Sequence, residues 1–268
     1  MLLEIKNLKV SYFGADMPTD AVNGANLSIS EGEVLALVGE SACGKSTLAL
    51  SIAKLISPRD GRITDGEIIF NNKDVMRLSC DELRDLRGKE LSYIFQEPAS
   101  SLNPVFTIGQ QITEVLLTHT KTTKLQAKTK ALDVLSLAQL ADPERIFSSY
   151  PHQLSGGMKQ RAMIAMATVL KPKLLIADEP TTALDVTVQA KIIELLKRLK
   201  ADLGLSILFI THDLNLVSTI ADRIAVMYKG KIVEVCERKE FYSSPKHDYT
   251  KMLLTTLKDL KDVKSKSA

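Results

Sequence analysis

Nine residues, Gly39–Thr47 (GESACGKST), constrain this chain more than any other stretch. They read G-x-x-x-x-G-K-[ST], with Gly39, Gly44, Lys45 and Ser46 in the fixed positions. The apolar run Val34–Val38 precedes them and a helix-compatible run, Leu48–Leu55, follows. A strand, a glycine loop and a helix start in that order form the context of a phosphate site. N–H groups of the loop and of the first helical turn have no intrahelical acceptor and can point at anionic oxygens. Glycine lets the backbone close around a phosphate. Lys45 would reach the β- and γ-phosphates of a nucleotide, and the Ser46 hydroxyl would ligate Mg²⁺.

Two further constellations add chemistry. LLIADEP (Leu174–Pro180) is a buried apolar strand with two carboxylates at its carboxyl end. Asp178 there would hold Mg²⁺, and Glu179 would orient and deprotonate an attacking water. A positioned general base typically contributes ~10²–10⁴-fold to rate. LSGGMKQR (Leu154–Arg161) puts Ser155, Gly156 and Gly157 just before a helix. Taken alone, that is a second anion site or ordinary helix capping.

The rest of the chain frames these motifs. Strand-like patterns occur at Leu2–Val10, Ala25–Ile29, Glu33–Val38, Glu67–Phe70 and Leu91–Phe95, with Asp60, Gly61, Asp65 and Gly66 read as a loop. From Thr107 to Leu140 the pattern turns helical and polar, a helical insertion between strands. Alternation then resumes. Helices are expected at Met158–Leu170, Val186–Leu203 (stopped by Gly204) and Leu214–Ala221. Strands are expected at Leu174–Ala177, Ser206–Ile210 and Ile224–Tyr228, with a hairpin through Gly230 to Lys231–Val235. Such alternation implies an α/β fold with a mainly parallel sheet covered on both faces. The 268 residues, 45% hydrophobic and 25% charged, suit one large domain or a domain with an insertion. A formal charge of +3 does not argue for nucleic acid. No apolar run is long enough to cross a bilayer and no signal peptide is visible, so a cytoplasmic location is expected. Cys43, Cys80 and Cys236 form no metal or disulfide pattern and should be reduced thiols. A thiol reagent at Cys43 is expected to inhibit the site, and Cys43→Ser to remove that sensitivity.

With these motifs in this order, the chain resembles the ATP-binding cassette (ABC) ATPases of membrane transporters over residues 1 to about 255. The resemblance implies a P-loop NTPase (RecA-like) core with an N-terminal antiparallel β subdomain. It also implies an inserted α-helical subdomain at about 97–160, and leaves 256–268 as a basic tail. In that family two cassettes sandwich two ATP molecules head to tail. Residues Gly39, Glu40, Ser41, Ala42, Cys43, Gly44, Lys45, Ser46 and Thr47 would hold the phosphates, and Tyr12 would stack on adenine, with Phe13 adjacent. Ser155, Gly156 and Gly157 would contact the γ-phosphate of the other cassette's nucleotide. Asp185 matches the D-loop, a role compatible with capping the helix it precedes. Gln96 matches the Q-loop glutamine that senses metal and nucleotide. His212 matches the switch histidine at the γ-phosphate. Glu179, His212 and Gln96 would then be catalytic, and Ser46, Gln96 and Asp178 would be the metal site.

Three longer strings resemble the importer branch for peptides and nickel: IFQEPASSLNPVFTIGQQI (Ile94–Ile112), YPHQLSGGMKQR (Tyr150–Arg161) and ADEPTTALDVTVQA (Ala177–Ala190). SPKHDYTKMLL (Ser244–Leu254) resembles that branch's C-terminal P-x-H-x-Y-T segment. The resemblance implies ATP and Mg²⁺ as cofactors and a second cassette, either a related ATPase or a second copy. It also implies two integral membrane permease subunits, an extracytoplasmic solute-binding protein, no nucleic acid, and a peripheral place on the cytoplasmic face of the membrane. Many peptide-type members carry a cysteine-rich tail holding an iron–sulfur cluster. Those cysteines are not found before Ala268, so no cluster is expected. Val105, Phe106 and Ile108 are candidates either for a groove that takes a permease helix or for helix-core packing. A soluble cassette acting on nucleic acid or ribosomes would show a second cassette, coiled-coil arms or basic inserts, and none is visible. An exporter cassette is disfavoured by the three strings. A non-hydrolysing regulatory subunit is disfavoured by intact Asp178, Glu179 and His212.

Overall fold

A computed structural model describes residues 1–13, 17–182 and 184–256. Ten strands are named: β1 (Leu3–Tyr12), β2 (Thr19–Ile29), β3 (Val34–Val38), β4 (Gly61–Phe70), β5 (Lys73–Asp74), β6 (Leu91–Ile94), β7 (Leu174–Asp178), β8 (Ser206–Ile210), β9 (Arg223–Tyr228) and β10 (Lys231–Glu237). The helices are α1 (Lys45–Ile52), α2 (Cys80–Lys89), α3 (Pro98–Ser101), α4 (Ile108–His119), α5 (Lys124–Leu137), α6 (Pro143–Ser148), α7 (Gly156–Thr168), α8 (Val186–Leu203), α9 (Leu214–Ile220) and α10 (Arg238–Ser243). Residues 248–256 are helical as well. The basic tail, from 257 on, lies outside the described residues.

The chain forms two compact units, Met1–Met76 with the residues from Phe209 onward, and Arg77–Leu208. In the first, an antiparallel sheet runs in the order β2-β1-β4-β5. Beside it in the same unit, β3 pairs parallel with β9, and β10 returns antiparallel on β9. Every residue of β3 is buried. Full burial of a Val or Leu side chain is worth about 1.5–3 kcal/mol, so this apolar pentapeptide drives its own placement. Its start is fixed by polar contacts: the Val34 N–H donates to Asp222 Oδ2 at 2.9 Å, and Arg223 pairs with the buried Glu33 at 2.9 Å. The core over β3 and β9 gathers Val217, Ile224, Val226, Phe241 and Tyr249.

Of the expected loop, Asp60 closes a turn, its N–H donating to the Ser57 carbonyl at 3.0 Å, and β4 begins at Gly61. The Asp65 and Gly66 signals mark a bulge inside β4, not a chain reversal. Gly66 has φ +100°, and a Cβ on it would lie 2.6 Å from Leu8 Cα, so only glycine lets β1 and β4 approach. The register between those strands shifts at this point.

In the second unit β6 pairs parallel with β7, and β8 lies beside β7. Helices α4 and α5 fill most of the Thr107–Leu140 stretch that reads as helical, and α6 and α7 follow them. Capping boxes start α4 (Thr107 with Gln110) and α5 (Thr123 with Gln126). Helix α8 begins at its cap Asp185 and ends at left-handed Gly204, with Ile192, Ile193, Leu195, Leu196 and Leu199 as its buried stripe. Among the described residues, no helix is long and apolar enough to cross a membrane.

Candidate nucleotide site

The glycine loop occupies the space between the carboxyl end of β3 and the start of α1, where a parallel sheet presents its ligand site. Gly44 is left-handed (φ 107°) and caps α1. A Cβ there would lie 2.2 Å from the Ala21 carbonyl oxygen, and one on Gly39 would lie 2.2 Å from that of Met227. Both glycines are therefore required sterically. Gly230 N–H donates to the Cys43 carbonyl at 3.0 Å, tying the loop to the β9–β10 turn. Lys45 is only 6% exposed. Its ammonium donates to the Gly39 carbonyl at 2.9 Å and the Glu40 carbonyl at 2.7 Å, so the charge is held across the loop. Cys43 is buried with its sulfur 3.8 Å from Lys45 Nζ. Burial raises the Cys43 thiol pKa above its ordinary value despite the nearby ammonium.

His212 follows the end of β8 and belongs to the same unit as the loop, which takes up the chain again at Phe209. Thr211 is buried and its N–H donates to the Leu37 carbonyl at 3.3 Å, while Asp213 caps α9 through the Asn215 N–H. The exposed His212 is thus displayed between two fixed neighbours. Tyr12 ends β1 and packs against Gly61, where an added Cβ would lie 2.8 Å from the Tyr12 ring. Phe13 is exposed, with the Arg62 guanidinium 5.8 Å from its ring centroid.

The acidic pair stands in the second unit. Asp178 ends the fully buried β7, and its Oδ2 accepts a hydrogen bond from the Tyr93 hydroxyl at 2.8 Å. Glu179 departs from the strand in a left-handed conformation (φ 45°), which costs a non-glycine residue about 1–2 kcal/mol. That turn carries the carboxylate to the side, where Oε2 accepts from Gln96 Nε2 at 3.0 Å and Thr182 Oγ1 at 2.8 Å. The structure therefore brings Gln96 and Glu179 together, as the sequence reading required of two residues 83 positions apart. Tyr93 and Thr182 were missed. A hydroxyl residue three positions after an acid, and a tyrosine three before the glutamine, were the only signals.

Ser155 caps α7, its hydroxyl accepting from the Met158 N–H at 3.4 Å. Gly157 needs its missing side chain, since a Cβ would lie 2.8 Å from Val188 Cγ1. Asp185 caps α8 through the Val188 N–H at 2.9 Å. Ser155, Gly156, Gly157, Asp185, Arg161 and Lys191 line one cavity of about 560 Å³, so the glycine pair and the aspartate share a surface. Arg161 is anchored there on the Gln139 carbonyl at 3.0 Å. Of the apolar groove candidates, Ile108 is buried core, whereas Val105 and Phe106 are 70% and 45% exposed.

These features have known counterparts. The family model described as ABC transporter matches residues 22–182. The chain belongs to the ABC transporter family. Across 94% of its length the cassette is 48% identical to the dipeptide transport ATP-binding protein DppD of Bacillus subtilis (strain 168), covering 76% of that protein. It is 49% identical to the oligopeptide transport ATP-binding protein OppD of the same organism, over 97% of this chain and 72% of that one. Among solved structures, the cassette overlays the dimeric ATP-binding cassette MJ0796 in a post-hydrolysis state bound to ADP and Pi. That match has a TM-score of 0.79 and 30% identity, covering 88% of this chain and 99% of that one. The cassette is thus a P-loop NTPase that binds ATP, and its reaction is ATP hydrolysis in a transporter. The peptide-transport relatives lend the nickel reading no support.

Proposed function

We propose that this chain energises an importer of peptides. The observation that carries this reading is near one-half identity to dipeptide and oligopeptide transport ATP-binding proteins across almost the whole chain. Residues 1–255 are read as one cassette with a helical subdomain at about 97–160 and a basic tail after it. The loop Gly39–Thr47 cradles the triphosphate, with Lys45 exchanging its two loop carbonyls for phosphate oxygens. Tyr12 packs on the adenine. Glu179, turned out of β7 and steadied by Gln96 and Thr182, orients the attacking water and takes its proton. His212 contacts the γ-phosphate.

Mg²⁺ fits the donor set. No group of three or more His, Cys, Asp or Glu forms a metal cluster among the described residues. Ser46 in the first unit, and Asp178 and the Gln96 amide in the second, each offer an oxygen of the kind a hard cation takes alongside phosphates and water. When bound, the ion neutralises charge on the phosphates. Tyr93 holds the Asp178 carboxylate in the orientation its ligand role needs.

The cavity at Ser155, Gly157 and Asp185 receives the γ-phosphate end of a nucleotide held by a second cassette. The solved dimer of MJ0796 supports a two-cassette assembly. Loss of the γ-phosphate contacts lets the pair part, a local electrostatic change turned into motion. Exposed Val105 and Phe106 then offer apolar contact to one of two permease subunits at the cytoplasmic face of the membrane. A solute-binding protein outside delivers the peptide. Purification from membranes together with two permease chains, followed by ATP-driven peptide uptake into vesicles, tests this. Recovery with RNA, or transport outward only, would replace the importer with one of its rivals.

A further inference from the structure

The peptide unit between Gly39 and Glu40 is held at both ends. Its carbonyl, that of Gly39, accepts from Lys45 Nζ at 2.9 Å, and its N–H, that of Glu40, donates to the Tyr249 hydroxyl at 3.1 Å. Tyr249 lies 209 residues further along the chain, in the C-terminal helical segment. Its ring is buried and stacks on Tyr228, with centroids 4.0 Å apart. The segment itself is pinned to β10. Glu234 is buried and accepts from the Lys246 N–H at 2.9 Å and the His247 N–H at 3.0 Å. His247 Nδ1 in turn accepts from the Tyr249 N–H at 3.1 Å, which sets where the tyrosine enters.

Glycine resists rotation of its peptide less than any other residue, so the Gly39–Glu40 unit needs outside support to keep one orientation. Lys45 supplies that support only while its ammonium rests on the loop. In the reading above, Lys45 moves to phosphate oxygens, and Tyr249 is then the remaining tie on that peptide. We propose that Tyr249 is a positioning residue for the phosphate loop, and that Lys246–Thr250, clasped by Glu234, is the brace that carries it. This rests on the assignment of Gly39–Thr47 as the ATP site. The C-terminal segment then acts as part of the nucleotide site without touching nucleotide.

The test uses the full chain and equilibrium titration with MgATP, then steady-state hydrolysis by the assembled transporter. Tyr249→Phe keeps the ring stack and deletes one acceptor. Expected is a roughly five- to tenfold weaker Kd for ATP, a matching rise in KM, and a change in kcat below about twofold. Glu234→Gln, which loosens the clasp but leaves Tyr249 intact, should move Kd and KM in the same direction by a smaller factor. It carries the test should Tyr249→Phe not fold. Unchanged Kd and KM in a folded variant would overturn the proposal, as would a fall in kcat with KM unmoved. A wild-type chain that does not bind MgATP would instead overturn the assignment of the site itself.

Discussion

Gln96 Nε2 donates to Glu179 Oε2 at 3.0 Å, so the loop after β6 holds the acid at the end of β7. Thr182 reaches the same oxygen at 2.8 Å. Two donors on one oxygen fix the plane of the carboxylate before it meets a water. Glu179→Gln preserves the shape and removes the proposed base. ATP binding should persist while turnover falls ~10²–10⁴-fold. Near-normal hydrolysis in that variant would take Glu179 out of the chemistry. Thr182→Val tests the steadying role and should lower kcat by about five- to tenfold with KM little changed.

The glycines separate into two kinds. Gly44→Ala meets both a left-handed backbone and a carbonyl oxygen 2.2 Å from the new methyl. Thermal unfolding should show a loss of about 1–3 kcal/mol or more, and ATP titration a failure of binding. Gly204 is also left-handed, at φ +67°, but nothing lies within 4 Å of the added methyl. Gly204→Ala should cost only about 1 kcal/mol and leave nucleotide affinity unchanged. Equal effects at the two sites would mean that crowding by Ala21 is not what excludes alanine.

Cys43 revises an expectation. It sits in the phosphate loop, which suggests ready inhibition by thiol reagents. The structure buries it, and burial raises its pKa. Since the thiolate is the nucleophile, alkylation at pH 7 should label the exposed Cys80 first and leave hydrolysis largely intact. In Cys80→Ser protein, labelling of Cys43 should rise roughly tenfold per pH unit below its pKa. Peptide mapping by mass spectrometry reads both. Rapid modification of Cys43 at neutral pH would contradict the burial argument.

Glu234 makes the brace sensitive to acid. Burial alone would raise its pKa, but the adjacent Thr250 hydroxyl and the hydrogen bonds from the Lys246 and His247 N–H groups outweigh burial and hold it below the ordinary value. A carboxylate with a lowered folded pKa contributes stability above its unfolded pKa and loses it as pH falls through the folded one. The melting temperature should therefore drop as pH falls below the ordinary glutamate range, about 4.3. Part of that drop should be missing in Glu234→Gln. Parallel melting curves for the two proteins across pH 3–7 would refute this assignment.

Where local pattern carried the information, the sequence was readable. The loop at Gly39, the acids at Asp178 and Glu179 and the caps of α8 each announce themselves within a few residues, because glycine, paired carboxylates and N-caps act on their own neighbours. Helix α2 was not seen. Its only buried side chains are Leu83 and Leu86, too few to make a period, although the Ser79 and Glu82 capping box stood as a start signal. Asp65 and Gly66 looked like a turn, because a bulge and a turn need the same residue types. Tyr93 and Tyr249 were invisible as site residues, since their partners lie 85 and 209 positions away and only the fold sets those distances.

The carbonyl oxygens that crowd Gly44 and Gly39 come from Ala21 on β2 and Met227 on β9. One strand belongs to the antiparallel sheet and the other pairs with β3. A loop wedged between both cannot slide toward either, and Tyr12 closes the same antiparallel sheet at the end of β1. Backbone oxygens, not side chains, set those two close approaches, so changing the side chain at Ala21 or Met227 would leave both walls of the loop standing.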